Sequence, residues 1–245
     1  MVKRFFEQAE AVEKHDGFGV RLDRHELKTP ARRELRVPTR ALADALAAEW
    51  QNSGAEIDTM AMPLNRLVNT ALDRVTDQYD ATVAQFVAYG ETDLLCYRAT
   101  HPDSLVNRQN EVWNTHLAWA ENRHRLHFRL AEGIQPVRQT DATLSRLHEI
   151  AAYATPDPLR LTGLVQAASL LGSAVLALAV TDGAVQTETA YQAAFLDELY
   201  QIEQWGADEE ATQRLAHRRE EIAEIIHYCS LYSAQLSINN DILKD

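Results

Sequence analysis

A chain of 245 residues, 46% of them hydrophobic, can bury the core of one large domain or two small ones, which excludes an intrinsically disordered protein. Its 24 lysines and arginines against 36 aspartates and glutamates leave a formal net charge of -12, a field that repels phosphate backbones and anionic headgroups and argues against nucleic acid or a membrane surface as partner. Cys96 and Cys229 form no CxxC pair and the residues after Met1 turn polar at once, so both thiols are expected to be reduced and buried in a cytoplasm-like compartment.

The first forty residues read as short strands. Turn signals at His15, Asp16 and Gly17 and again at Asp23, Arg24 and His25 flank Phe18, Val20 and Leu22, which alternate as a half-buried strand does. A third run, Leu35 to Val37, stops at Pro38, and Thr39 is placed to cap a helix over Arg40 to Gln51 whose Leu42, Leu46 and Trp50 share a face. After Pro63 the period is helical through Leu72, and further helices are expected at Tyr79 to Tyr89 and after Pro102. His127 to Leu130 reads as an isolated strand. Four more helices are expected, at Ala142 to Tyr153, Leu159 to Val180, Glu188 to Trp205 and Asp208 to about Leu236. The fold class is therefore α+β: an N-terminal antiparallel β-rich domain with one helix, residues 1–60, packed on a larger multi-helical domain, residues 61–245. Between Leu161 and Thr181 no residue is charged, but only Leu170 to Val180 is densely apolar, so a buried helix is expected there and no stable membrane insertion.

The chemistry-bearing motifs are missing. There is no GxxxxGK phosphate loop, Gly172 and Ser173 are not followed by the glycine of a nucleophile elbow, and His148 and Glu149 lack the second histidine of HExxH. The acidic run Asp208 to Glu210 suits the start of a helix. No cofactor, metal or catalytic residue is expected. An enzyme built on the carboxylates of Glu91, Asp93 and Asp197 is the competing reading from another class.

One stretch is dense in apolar and acidic groups together: LDELYQIEQWGADEEA, Leu196 to Ala211. On a helix, Phe195, Leu199 and Ile202 share one face, with Asp197, Gln201 and Gln204 beside it. Charge is also unevenly spread: residues 1–40 carry ten basic and seven acidic groups, residues 182–245 four and thirteen.

This stretch resembles the signature of the assembly chaperones for the alpha subunit of the F-type ATP synthase catalytic head, the assembly factor 2 family. Three further segments match that family in order: TPARRELRVPTRALADALAAEW (Thr29 to Trp50), MPLNRLVNTALDRV (Met62 to Val75) and YGETDLLCYRA (Tyr89 to Ala99). Asn65 stands where the family pattern has threonine, and Phe195 where it has arginine. The resemblance implies a chaperone and not an enzyme, binding the unassembled alpha subunit without ATP, preventing its aggregation and promoting assembly with the beta subunit. By matching position it makes Asp197, Glu198 and Glu203 partner-facing charges and brings in Tyr200, Gln201 and Trp205 beside them. For Tyr200 and Trp205 the resemblance offers an anchor role, with core packing the favoured alternative for Trp205 and for Trp50; for Glu91 and Asp93 it offers partner contact or a turn and cap after Gly90, the latter favoured, with Arg98 paired to one of them. A monomer in the bacterial cytoplasm is expected, or in the mitochondrial matrix for a processed eukaryotic form.

Overall fold

The computed structural model describes residues 2–133, 136–153, 155–206 and 208–233. Its contacts divide into two compact units: Met1–Tyr79 with Asp157–Gly163 and His227–Asp245, and Asp80–Pro156 with Leu164–Ile226. The first unit therefore runs past residue 60 and gathers two later segments.

In the first unit, β1 (Val2–Lys3), β2 (Ala9–Lys14), β3 (Gly17–Leu22) and β4 (His25–Glu26) precede α1 (Arg40–Gln51), β5 (Glu56–Ile57) and α2 (Pro63–Thr70). Strands β2 and β3 form an antiparallel hairpin in which Lys14 faces Gly17 across the two-residue turn His15 and Asp16; β4 extends the sheet and β1 pairs with β5. Alternation sends Val20 and Leu22 inward, where they are buried, as are Leu42 and Leu46 of α1, the helix set against this hairpin. Thr39 caps α1 as expected: its hydroxyl oxygen accepts from the Leu42 amide at 3.2 Å and donates to the Leu231 carbonyl at 2.7 Å. Leu35 to Val37 is not a strand. Val37 and Phe18 exchange both backbone hydrogen bonds as a single pair and Glu34 bridges Lys28 as another; the ladder does not extend to Leu35, since the Val20 carbonyl opposite it already accepts from the Leu27 amide at 2.8 Å.

In the second unit, α3 (Tyr79–Glu91), β6 (Tyr97–Arg98), α4 (Asp103–His124), β7 (Ala131–Glu132) and α5 (Asp141–Ala152) are followed by α6 (Pro158–Leu171), α7 (Ala174–Thr181), α8 (Thr187–Ala194), α9 (Leu196–Trp205) and α10 (Glu209–Ser233). The division of the chain assigns Tyr79 of α3, residues 158–163 of α6 and residues 227–233 of α10 to the first unit. Every residue of α7 from Ala174 to Val180 is buried, which accounts for a helix with no polar face. Gly90 lies inside α3 and does not end it: a Cβ there would stand 2.2 Å from Leu147 Cδ1, so a larger residue would have to displace the buried Leu147 side chain of α5. The short strand near His127 falls at Ala131–Glu132 instead, paired parallel with β6. Among the described residues no helix is long and apolar enough to cross a membrane.

Two expected helices are each broken in two. The run from Leu159 to Val180 stops at Gly172, whose φ of 64° is left-handed, and restarts at Ser173, whose hydroxyl accepts from the Leu176 amide at 3.0 Å. The run from Glu188 to Trp205 breaks at Phe195, which serves both pieces: its amide donates to the Tyr191 carbonyl at the end of α8, and its carbonyl accepts from the Leu199 amide at the start of α9. For α10, the expected end near Leu236 lies outside the described residues.

Candidate functional site

Helix α9 holds the candidate residues. Its buried side chains are Leu196 and Tyr200, one turn apart, whereas Leu199 and Ile202 are half-buried and Phe195 precedes the helix. The apolar face thus sits one residue away from the one expected from Phe195, Leu199 and Ile202, because the break at Phe195 resets the helix.

The acidic side chains of α9 are engaged on specific neighbours. Asp197, in the first turn where a negative charge complements the helix dipole, accepts from Gln109 Nε2 at 2.7 Å. Gln109 is itself fixed, since its side-chain oxygen accepts from the Ala99 amide at 2.8 Å and its carbonyl from Arg98 at 2.9 Å. Glu198 meets Arg214 at 3.1 Å. Glu203 meets Arg108 through both carboxylate oxygens, at 2.9 and 2.8 Å, and the hydrogen bonds from that guanidinium hold the Glu203 carboxyl below the usual range. Tyr200 is buried, with its hydroxyl 2.6 Å from Ser104 Oγ and the Arg108 guanidinium 5.5 Å from its ring centroid. Gln201 faces solvent.

Trp205 does not join a core. It is 78% exposed, at the last position of α9 before Gly206, and its indole is the most exposed large apolar side chain among the described residues. Trp50 is half-buried, with its indole N–H donating to Asn65 Oδ1 at 2.8 Å.

The carboxylates of the competing enzyme reading are engaged separately. Asp93, with no exposed surface, accepts from the Leu95 amide at 3.0 Å, Ser173 Oγ at 3.0 Å and the Val175 amide at 3.1 Å, so it caps the turn after α3 and the start of α7 at once. Burial pushes its carboxyl up to about 6 against the pull of these donors. Glu91 is exposed at the end of α3. Arg98 pairs with neither: it is 5% exposed, donates to the Gln109 carbonyl, Asn110 and Asn114, and stacks 5.2 Å from the Trp113 ring, while desolvation lowers its pKa. Among the described residues no cluster of His, Cys, Asp or Glu could hold a metal ion.

Beside α9 the structure has a cleft of about 510 Å³ between α4, α8 and α9. Val112, Tyr191, Leu196 and Leu199 supply its apolar lining; Arg108, Glu111, Glu188 and Glu203 supply its charges. Of these, Leu196, Leu199 and Glu203 belong to the motif singled out in the sequence. The residues from α4 lie some ninety positions away, and no signal in the sequence pointed to them.

Comparison with known proteins agrees with the fold. The sequence profile of the ATP12 chaperone protein family matches residues 3–121. Atp12 from Paracoccus denitrificans is 38% identical, with 94% of this chain and 98% of that one covered at a TM-score of 0.88; an aspartate-to-lysine mutant of the same protein gives 0.89 over the same shares at 38% identity. The Atu1473 protein of Agrobacterium tumefaciens is 36% identical over 93% of this chain and 85% of its own, at a TM-score of 0.87. With more than a third of its residues identical to these proteins over nearly its whole length, the chain belongs to the ATP12 family of chaperones.

Proposed function

We propose that this chain is an ATP-independent assembly chaperone that binds the unassembled alpha subunit of the F-type ATP synthase head, keeps it from aggregating and gives it up to the beta subunit. A lone ring subunit exposes an apolar face that would otherwise self-associate. A binder that covers this face lowers its free concentration, and release needs only a tighter competitor. No catalytic residue or cofactor has a part in this scheme. The protein acts as a monomer, in a bacterial cytoplasm or, for a processed eukaryotic form, in the mitochondrial matrix.

The observation that carries the reading is a large exposed aromatic, Trp205, on the same short helix as an acidic first turn. Aromatic anchors supply contact energy and carboxylates choose the partner. Trp205, Gln201, Asp197, Glu198 and Glu203 are the client-facing groups in this scheme, while Tyr200, tied to Ser104, holds the helix in place.

The test is co-expression with alpha, beta and an unrelated subunit, followed by co-purification. Alpha should be retained selectively. Trp205→Ala should weaken capture by about ten-fold or more and change folding stability by no more than about 0.5 kcal/mol, since an exposed site contributes little to folding. Asp197→Lys should also lose capture, with a modest cost to folding from the broken Gln109 hydrogen bond, about 1 kcal/mol. Full capture by both variants would defeat the assignment of these residues; retention of beta or of the unrelated subunit in place of alpha would defeat the client.

A further inference from the structure

The cleft between α4, α8 and α9 combines an apolar floor with an acidic rim. Leu196 is buried, and Val112, Tyr191 and Leu199 are half-buried, so their surfaces line a space that nothing in the chain fills among the described residues. A volume of about 510 Å³ suits a side chain or two with a short stretch of backbone, and not the face of a whole domain.

The rim charges are not equivalent. Glu203 is neutralised by Arg108 at 2.8 Å and Glu188 by Arg219 at 2.6 Å. Glu111 projects from α4 at the same rim, exposed, and has no basic partner among the described residues. Glu111 is therefore the one rim carboxylate left for a cation from outside to meet among the described residues, and an anion or a second copy of this chain, with its net charge of -12, is the group it repels.

We infer that this cleft is where the client is read, and that it takes a short client segment presenting an aliphatic or aromatic side chain next to a lysine or arginine. The apolar group seats on Leu196, Leu199, Val112 and Tyr191, and the cation meets Glu111. The inference rests on the chaperone reading above but adds a second contact region: Trp205 is not among the cleft's lining residues, and Glu111 and Val112 lie on α4, outside the α9 motif.

Capture of the alpha subunit by the full chain tests it, with Glu111→Lys and Leu199→Lys as variants. Each should weaken capture by about ten-fold or more, one by placing a like charge where the client's cation sits and the other by placing a cation over the apolar floor. Glu111 is exposed and its replacement should leave the melting temperature unchanged, so it decides the matter even if Leu199→Lys unfolds. A synthetic peptide of alternating leucine and lysine should compete for the wild-type protein, its leucine and glutamate counterpart should not, and Glu111→Lys should abolish the difference. Wild-type capture with undiminished affinity in Glu111→Lys, or equal competition by the two peptides, overturns the cleft and leaves the chaperone reading standing. Failure of the wild-type protein to retain alpha overturns that reading first.

Discussion

Asp93 caps two elements at once, in line with the turn-and-cap role favoured for it over partner contact or catalysis. Its donors sit on two sides of the chain, the Leu95 amide on the turn after α3 and Ser173 with the Val175 amide at the start of α7. Desolvation still dominates, and the folded-state pKa stands at about 6, above the usual carboxylate range. A raised carboxyl favours the protonated form in the folded state. The stability Asp93 contributes is therefore fully present below about pH 4, is lost as the pH rises to about 6, and changes no further above that. The size of this loss is on the order of 3 kcal/mol. Asn cannot titrate, so the difference in unfolding free energy between wild type and Asp93→Asn should fall across that window and stay flat above it; a difference independent of pH would show that Asp93 is ionised at its ordinary pKa.

At the scale of elements, α1 and α2 are latched by one cluster. Asn65 accepts from the Trp50 indole, and its side-chain amide donates to Glu49 at 2.7 Å and to the Leu46 carbonyl at 3.3 Å. Glu49 accepts from the Leu64 and Asn65 amides, both at 2.9 Å, so it satisfies the open first turn of α2. Phe6 rests edge-on against Trp50 with centroids 6.0 Å apart. Trp50→Phe keeps the ring packing and should cost about 1 kcal/mol for the lost hydrogen bond. Trp50→Arg removes both ring contact and latch and should cost about 3 kcal/mol. Chemical denaturation of the two variants checks the order; equal losses would mean that the indole is held by the hydrogen bond alone. The start of α1 was legible because a cap residue and a four-residue apolar spacing agree at Thr39, Leu42 and Leu46. The breaks at Phe195 and Gly172 were not: each lies inside an apolar run that continues through it, so periodicity shows no interruption.

At the scale of the whole molecule, the strand-then-helix order was plain in the sequence, as was the acidic character of the C-terminal part. The partners of the acidic groups were not. Glu203 meets Arg108, Asp197 meets Gln109 and Tyr200 meets Ser104 across 95, 88 and 96 residues respectively, and no local rule of spacing joins groups that far apart. Trp205 was misplaced for a related reason: an aromatic residue type predicts burial on average, but at the end of a short helix the neighbours decide. A net charge of -12 has its own consequence for binding. Capture of a client with complementary charge should weaken steadily as salt is raised towards about 1 M, where screening shortens the reach of a charge to about 3 Å. Affinity unchanged by salt would point to apolar contact alone.

The two cysteines give the protein a pair of internal clocks. Cys229 belongs to the first compact unit and Cys96 to the second, and both are free thiols closed off from solvent. Burial pushes the Cys229 thiol up to about 12 and the Cys96 thiol higher still, so neither offers a thiolate to a reagent while its surroundings stay shut. Alkylation of either one becomes a timestamp of local opening, and mass spectrometry can read the two stamps separately on a single chain. Matching rates would mark one cooperative opening event, and a faster rate at one cysteine would identify the unit that opens more readily.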